Sequence, residues 1–482
     1  MSNLSDLLPT GGGQNAVDFV ASGTLGSGVT VALKADGTVS VVGESGPSVG
    51  TSAVFETSNT YSIASTFDSA AGKVVIAYTD SGNTSRGTAI VGTVSGTSIT
   101  FGTPVVFESG STSYISATFD STNNKVVIAY RDAGNSGYGK AIVGTVSGTS
   151  ITFGTEVVFN SGSTFYTSST FDTAANKVVI TYADSGNGAY GTAIVGTVSG
   201  TSISFGTEVV FESANSIAPS TTFDSTAGKV VIAYADAGNS GYGTAIVGTV
   251  SGTSISFGSA VVFNSSNSNS SNVAATFDSA AGKVVLFYRD SVNSYYGTAI
   301  VGTVSGTSIS FGTAVVMISG DTPYLAPTFD SAAGKVVIAY RDTSTLTGKA
   351  IVGTVSGTSI SFGTAIVFNN ADVGFNASTF DSAAGKVIIA YQDIGNSSYG
   401  TSIVFSISST NNTSFIGITA EAIADTATGP VNVFGGVNEA QSGLTIAADY
   451  YVQSDGSIAT TVSDVKIGQA ISATTINIRD LT

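Results

Sequence analysis

Hydrophobic and polar positions recur along this chain as a block. In Thr66-Phe67-Asp68-Ser69-Ala70-Ala71-Gly72-Lys73-Val74-Val75-Ile76-Ala77-Tyr78 a small polar turn leads into a run that is apolar at every position. The Thr-Phe-Asp tripeptide ends at Asp68, Asp120, Asp172, Asp224, Asp278, Asp330 and Asp381, with successive spacings of 52, 52, 52, 54, 52 and 51 residues. In the second copy the pattern predicts strand A over residues 114–120, strand B over 125–132, strand C over 141–147 and strand D over 151–159. Strand B is apolar on both faces, as a strand buried between neighbouring sheets must be. Gly154 is expected to make a bulge in strand D. Four antiparallel strands repeated seven times predict an all-β chain containing a seven-bladed β-propeller.

A propeller has to close into a ring, whereas a solenoid of the same period needs capped ends. The strand-D motif typified by Phe153-Gly154-Thr155-Glu156-Val157-Val158-Phe159 starts at Phe101, Phe153, Phe205, Phe257, Phe311 and Phe362, and none follows the seventh Thr-Phe-Asp. A further version, Val49-Gly50-Thr51-Ser52-Ala53-Val54-Phe55, precedes the first. The N-terminal strand is therefore expected to complete the last blade. Outside the repeats, Thr30-Val31-Ala32-Leu33-Lys34, the turn Asp36-Gly37 and Thr38-Val39-Ser40-Val41 spell a hairpin, and strand-like runs extend from Phe415 to Ile478. The expected organisation is a flexible arm at 1–16, the first part of a small β-domain at 17–48, the propeller at 49–407, and the second part of the small domain at 408–482. Two separate terminal modules are the alternative to one domain with the propeller inserted into it.

Composition narrows the function. The 482 residues carry 32 acidic against 16 basic side chains, a net charge of −16, which disfavours nucleic acid and anionic membranes as partners. Cysteine, histidine and tryptophan are absent, which undercuts disulfides, nucleophilic triads and transition-metal sites. No cofactor or metal is expected. The start of the chain lacks a basic segment followed by an apolar one, and no run of 18 apolar residues occurs, so synthesis in a cytoplasm without membrane insertion is expected.

Two repeated polar patterns invite chemistry. The Asp–Lys pair flanking each A–B turn, as at Asp68/Lys73 and Asp120/Lys125, could form a ring of carboxylates, but recurrence in every copy favours pairing across the hairpin and capping of the turn. The B–C loops Asp80-Ser81-Gly82-Asn83, Asp132-Ala133-Gly134-Asn135, Asp184-Ser185-Gly186-Asn187 and Asp236-Ala237-Gly238-Asn239 are rich in oxygen; calcium is one reading, ordinary Asx turns the other. The Asp turns superficially resemble the Asp boxes of sialidases, yet the Asp-to-Gly spacing differs and only five arginines are present. No catalytic residue is assigned.

Comparison among the copies is more informative. The A–B and C–D turns are nearly identical, whereas the D–A connections differ: Glu108-Ser109-Gly110-Ser111-Thr112-Ser113-Tyr114, Asn264-Ser265-Ser266-Asn267-Ser268-Asn269-Ser270 and Ile318-Ser319-Gly320-Asp321-Thr322-Pro323-Tyr324. In a propeller the D–A and B–C connections share one face. That face collects Tyr61, Tyr114, Tyr166, Tyr190, Tyr242, Tyr295, Tyr296, Tyr324 and Tyr399, a Tyr/Ser/Asn/Gly surface suited to adaptable binding. Unconstrained drift of loops is the competing explanation.

Ser442-Gly443-Leu444-Thr445-Ile446-Ala447-Ala448-Asp449-Tyr450-Tyr451-Val452-Gln453-Ser454-Asp455-Gly456-Ser457-Ile458, with Lys466-Ile467-Gly468-Gln469-Ala470-Ile471-Ser472-Ala473-Thr474, resembles the β-modules of tailed-bacteriophage virion proteins, especially fibre-like proteins of marine phages. Ala21-Ser22-Gly23-Thr24-Leu25-Gly26-Ser27-Gly28-Val29 looks like the opening of the same module, which the repeats interrupt. The resemblance implies a non-enzymatic, homo-oligomeric virion protein, made in the host cytoplasm, that meets other virion proteins through its split domain and N-terminal arm. The propeller would then be displayed towards a host-surface glycan or protein receptor. A purely structural decoration protein and a carbohydrate enzyme are the alternatives.

Overall fold

In the computed structural model residues 15–34, 36–42, 46–267, 273–407, 414–453, 456–463 and 465–479 are described, so the arm expected at 1–16 lies outside them except for its last two residues. Ala16 already belongs to a strand, Ala16–Val20. The chain divides into two compact units, Pro47–Ile407 and Met1–Gly46 with Ser408–Thr482.

In the larger unit every repeat builds antiparallel strands in the expected order. Strand B of the second repeat, Lys125–Asp132, pairs with strand C, Tyr138–Ser147, which pairs with Ser150–Phe153. Its apolar run is fully buried from Val126 to Tyr130, because β-branched side chains point to both faces and neighbouring sheets cover each. The carboxylate of Asp120 accepts bonds from the N–H groups of Thr122 at 3.0 Å and Asn123 at 2.9 Å, and Asp68 does the same for Ala70 and Ala71. The expected ion pair across the turn is not formed: among the described residues no Asp–Lys pair of these turns lies within bridging distance, because the turn amides already satisfy the buried carboxylate. Burial pushes the Asp224 and Asp330 carboxyls up, opposed by those amide bonds and by Lys283 and Lys386 of the following repeats.

The D–A connection departs from the sequence reading. Val105–Asp120 is one continuous strand of 16 residues rather than two strands and a loop. Its first part pairs with strand C of the first repeat (Ala89↔Val105, Arg86↔Ser111), and its second part with strand B of the next (Asp132↔Thr112, Lys125↔Asp120). Ala53–Asp68, Val157–Asp172 and Val209–Asp224 cross in the same way. Ser, Thr and Gly read as a loop in sequence, but here their backbone groups are paired with one sheet and then the other. Strand C of the last repeat, Tyr399–Ser406, pairs with the beginning of the unit: Phe405↔Val49, Ser402↔Ala53 and Thr401↔Val54.

Gly154 sits where strand D carries three residues against two on strand C, between the pairs Phe153↔Gly144 and Val157↔Ala141. A Cβ there would lie 1.8 Å from the carbonyl oxygen of Thr201, in the C–D turn of the next repeat. Gly50, Gly102, Gly206, Gly258 and Gly312 meet the equivalent carbonyls at 1.7–1.9 Å. Among the described residues the atom nearest a Cβ on Gly363 would be the Val352 carbonyl oxygen, 3.9 Å away.

The smaller unit holds two five-stranded sheets. One is ordered Ala16–Val20, Thr428–Asn432, Phe415–Thr419, Thr30–Leu33, Val39–Val41, and so contains the expected hairpin with strands from both chain ends. The other joins Val437–Asn438, Ile476–Ile478, Lys466–Ala470, Asp449–Val452 and Ile458–Ala459. Ala32, Val42, Phe415, Ile418, Tyr450, Val452, Ile467, Ile476 and Ile478 form a buried core shared by both.

The glycine contacts yield a paired test. Gly154→Ala should cost about 1–3 kcal/mol, the usual range for overpacking, while Gly320→Ala, whose Cβ would meet nothing nearer than Ile318 Cγ2 at 3.7 Å, should stay within about 0.5 kcal/mol of the parent. Equal denaturation midpoints for the two variants would refute the proposed contact between neighbouring repeats.

Candidate functional site

Where it pairs with strand B, each crossing strand is interrupted once, and that interruption builds the site. Ladder register shifts between Tyr61 and Ala64, between Phe165 and Ser168, between Ile217 and Ser220 and between Gly374 and Ala377. At these places Ser62, Tyr114, Tyr166, Ala218, Tyr324 and Phe375 all take positive φ, between 48° and 58°. A bulge with a left-handed residue re-aims that side chain, and such a conformation in a Tyr or Phe is held only by its surroundings. Hydrogen bonds between repeats supply that support: Tyr114 N–H donates to Ser62 Oγ at 3.2 Å, Thr221 N–H to Ser168 Oγ at 3.0 Å, and Ala275 N–H to Ser220 Oγ at 3.0 Å. Thr167 Oγ1 donates to the carbonyl of Tyr114, Ser378 Oγ to that of Ala326 at 2.9 Å, and Asn376 Nδ2 to that of Tyr324 at 3.1 Å.

The re-aimed residues line a cavity of about 470 Å³ to which all seven repeats contribute, through residues 62–65, 114–117, 166–169, 218–220, 273–275, 324–327 and 375–378. Aromatic rings stand at two places on its wall. Tyr114 meets Tyr166 edge-on at 5.1 Å and Phe165 at 5.5 Å; Tyr324 meets Phe375 at 5.3 Å. Between and below them the lining is divided. Ser65, Ser116 and Ser169 carry buried hydroxyls without a protein partner, while Ala274, Ala275, Ala326 and Pro327 are aliphatic. Burial pushes the Tyr114 hydroxyl up, Tyr166 adds to this and the Arg131 charge opposes it. Among the described residues no acidic or basic side chain lines the cavity, so its wall offers stacking and hydrogen bonding rather than proton transfer. A second cavity, of about 440 Å³, lies beside Thr66, Phe67, Ser121 and Thr173, next to the A–B turns.

The nine tyrosines singled out in the sequence do not form one surface. Tyr114, Tyr166 and Tyr324 line the cavity. Tyr61 stands one position before the re-aimed residue of its repeat; its hydroxyl donates to Ser85 Oγ at 2.8 Å and its ring lies 6.2 Å from Phe375. Tyr190, Tyr242, Tyr296 and Tyr399 begin the C strands, paired with Asp184, Asp236, Asp290 and Asp393, and are half-buried away from the cavity. Tyr295 is exposed, with the Arg289 guanidinium 4.9 Å from its ring centre. Phe165, Phe375 and Ser62 escaped the reading because it collected one residue type. Aligning the copies position by position places Ser62, Tyr114, Tyr166, Ala218, Tyr324 and Phe375 in one column.

The B–C loops do lie against the crossings: Ser58 Oγ donates to Asp80 Oδ1 at 2.6 Å and Ala133 N–H to the carbonyl of Ser111 at 2.7 Å. The loop carboxylates are engaged by backbone. Asp80 accepts from Asn83 N–H at 3.2 Å, Asp132 from Asn135 at 3.1 Å, Asp184 from Gly186 at 3.0 Å and Asp236 from Asn239 at 3.1 Å, the arrangement of Asx turns. Among the described residues no group of three acidic side chains is placed to hold a metal ion.

No family model matches the chain, and no curated protein matches it. Solved structures similar to it include the BP39L lectin from Burkholderia pseudomallei, at 8% identity over 70% of this chain and 96% of that one with a TM-score of 0.48. AofleA from Arthrobotrys oligospora is similar at 9% identity over 71% and 97% with a TM-score of 0.43, and the SapL1 lectin in complex with alpha methyl fucoside at 12% over 66% and 97% with 0.39. At such identities and scores the likeness carries no argument about ligand or activity.

The loop geometry gives a direct expectation for metal removal. A chelator should leave the melting temperature where it is, because a cation bound only to the folded state would raise it by mass action. A marked fall on adding chelator would show that the Asx loops do hold a cation.

Proposed function

We propose that the chain is a non-catalytic saccharide-binding protein in which seven four-stranded blades, closed by residues 49–55, surround the binding cavity. The observation that carries this reading is the cavity of about 470 Å³ with aromatic rings on its wall and serine, threonine and asparagine side chains in its lining. Its volume suits a small ligand, for which sites of roughly 300–1,000 Å³ are usual. Sugars present apolar C–H faces that stack on aromatic rings and hydroxyls that both donate to and accept from serine. The context proposed is a tailed-phage virion, with the terminal β-unit meeting other virion proteins in a homo-oligomer and the cavity face turned to a host-surface glycan.

Closure is supported by the pairing of Tyr399–Ser406 with residues 48–59 and tested at Phe55, whose ring packs on Tyr78 and Phe101 at 5.1 and 5.8 Å. Phe107 has the same neighbours one repeat later, Tyr130 at 5.2 Å and Phe153 at 5.8 Å. In a closed ring Phe55→Ala and Phe107→Ala should each cost about 3–5 kcal/mol. A much smaller loss at Phe55 would mean that the chain ends fray and the ring is open.

Binding is tested by replacing Tyr114, Tyr166 and Tyr324 together with Ala and measuring retention on host cells and on a glycan array. Affinity should fall tenfold or more, since each well-packed aromatic anchor is worth about 1–2 kcal/mol or more. Substitutions in the Ser-Gly-Thr-Ser turns, far from the cavity, should leave retention unchanged. Equal retention of both sets would remove the cavity from host binding and favour a decoration role.

A further inference from the structure

The repeats differ at the next-to-last position of strand B, where Thr79, Arg131, Ala183, Ala235, Arg289, Arg341 and Gln392 stand. Two of the three arginines are neutralised. Arg289 forms an ion pair with Asp321, and Arg341 grips Asp372 with Nε at 2.5 Å and Nη2 at 2.7 Å. Register shows what differs at the third: Tyr296 pairs with Asp321, whereas Tyr138, its counterpart, pairs with Ser163. A serine thus occupies the place of the neutralising aspartate beside Arg131.

The Arg131 guanidinium lies 4.9 Å from the centre of the Phe165 ring, with Nη1 3.5 Å from Ser113 Oγ and Nε buried without a partner. Among the described residues no carboxylate lies within ion-pair distance of it. Phe165 also packs on Tyr114 and Tyr166, which line the cavity. Arg86, whose Nε is likewise buried and unpartnered, flanks the same strand from the other side: it pairs with Ser111 and Arg131 with Ser113. In a chain of net charge −16, an uncompensated guanidinium on an aromatic cluster is a localised anion-binding feature.

We infer that the rim of the cavity at Arg131 accepts the carboxylate of an acidic sugar, so that the protein prefers saccharides containing uronic acid or another carboxylated pyranose over their neutral counterparts. The inference rests on the saccharide reading above and deepens it. The sugar ring stacks on Tyr114 and Tyr166, and the planar carboxylate meets the fork of the guanidinium, a match in both charge and shape. Ser113 and Ser163 flank the same place with neutral hydroxyls. Arg289 and Arg341 do not compete, because Asp321 and Asp372 already fill their forks.

The test is titration of the full chain with glucuronic-acid oligosaccharides, with their carboxyl-reduced forms, and with sulfated forms of the reduced chains. The parent should bind the carboxylated chains about tenfold or more tighter than the reduced ones, as a charge-assisted, bidentate contact implies. Arg131→Gln should abolish that preference while retaining affinity for the reduced chains and the parent melting temperature; Arg131→Lys should keep part of it. Equal binding of carboxylated and reduced chains by the parent would overturn the inference and leave saccharide binding standing, as would an undiminished preference in Arg131→Gln. A stronger preference for sulfated chains would overturn the assignment to a carboxylate. If the parent binds none of the three, while Tyr114→Ala with Tyr166→Ala and Tyr324→Ala still matches it on host cells, the saccharide reading itself fails, and this inference with it.

Discussion

The structure depends on a strand that belongs to two sheets. Where Val105–Asp120 leaves strand C of one repeat and joins strand B of the next, Ser111 pairs with the first and Thr112 with the second, so neighbouring sheets are tied by pairing as well as by side-chain packing. A strand cannot serve two twisted sheets without a local break, since the sheets are rotated against each other. Register breaks at residues 106–111 precede the changeover, and the bulge at Tyr114 follows it inside the pairing with strand B, as do those at Ser62, Tyr166, Ala218 and Phe375. The second break places one residue from almost every described repeat against the same cavity, and the residue found there differs from copy to copy.

Much of this was legible from the sequence, and the reasons are local. Val126-Val127-Ile128-Ala129-Tyr130 announces a strand buried on both faces because no other element tolerates so unbroken a β-branched run. The motif at residues 49–55 can be matched to strand D because its Gly50 answers the same steric demand as Gly154, the close approach of a neighbouring carbonyl. The crossing strand was not legible. Its Ser, Gly and Thr residues have weak strand preference, and what makes them a strand is pairing with partners far away in the chain. Nor does any residue type mark the left-handed positions: Tyr, Ser, Ala and Phe all occur there, held by hydrogen bonds from the adjacent repeat. The unneutralised state of Arg131 is visible only once the register sets Ser163 beside the counterpart of Tyr296.

Near-identity of the copies conceals a second asymmetry, in the buried polar groups. Tyr78, Tyr130, Tyr182, Tyr234, Tyr288, Tyr340 and Tyr391 end the apolar runs and are almost wholly buried. Their hydroxyls need partners, because a buried donor left unpaired costs about 1–3 kcal/mol. In the first four repeats they find carboxylates: Tyr78 donates to Glu56 at 3.2 Å, Tyr130 to Glu156 at 2.9 Å, Tyr182 to Glu208 at 2.9 Å and Tyr234 to Glu212 at 3.0 Å. In the second repeat the buried Lys140 ammonium joins the buried Glu108 and Asp132 to Glu156, which reaches the surface. Burial and these carboxylates push the tyrosine hydroxyls far up, so they stay neutral donors. The Tyr340 hydroxyl of the sixth repeat has no partner.

The polar bias extends from the interior to the displayed end. Loop tips of the later repeats expose Val292, Tyr295, Leu346 and Ile394, where the first four carry the smaller Gly, Ala and Ser. The cavity wall also differs from copy to copy, since Ser65, Ala117, Ser169, Ala275, Pro327 and Ser378 share one column of its lining. Seven copies with equal walls would be equivalent to any small molecule; walls that differ from copy to copy are not. The repeats diverge in the few columns that pack against neither sheet, because the rest of each copy is held uniform by the packing of one sheet on the next.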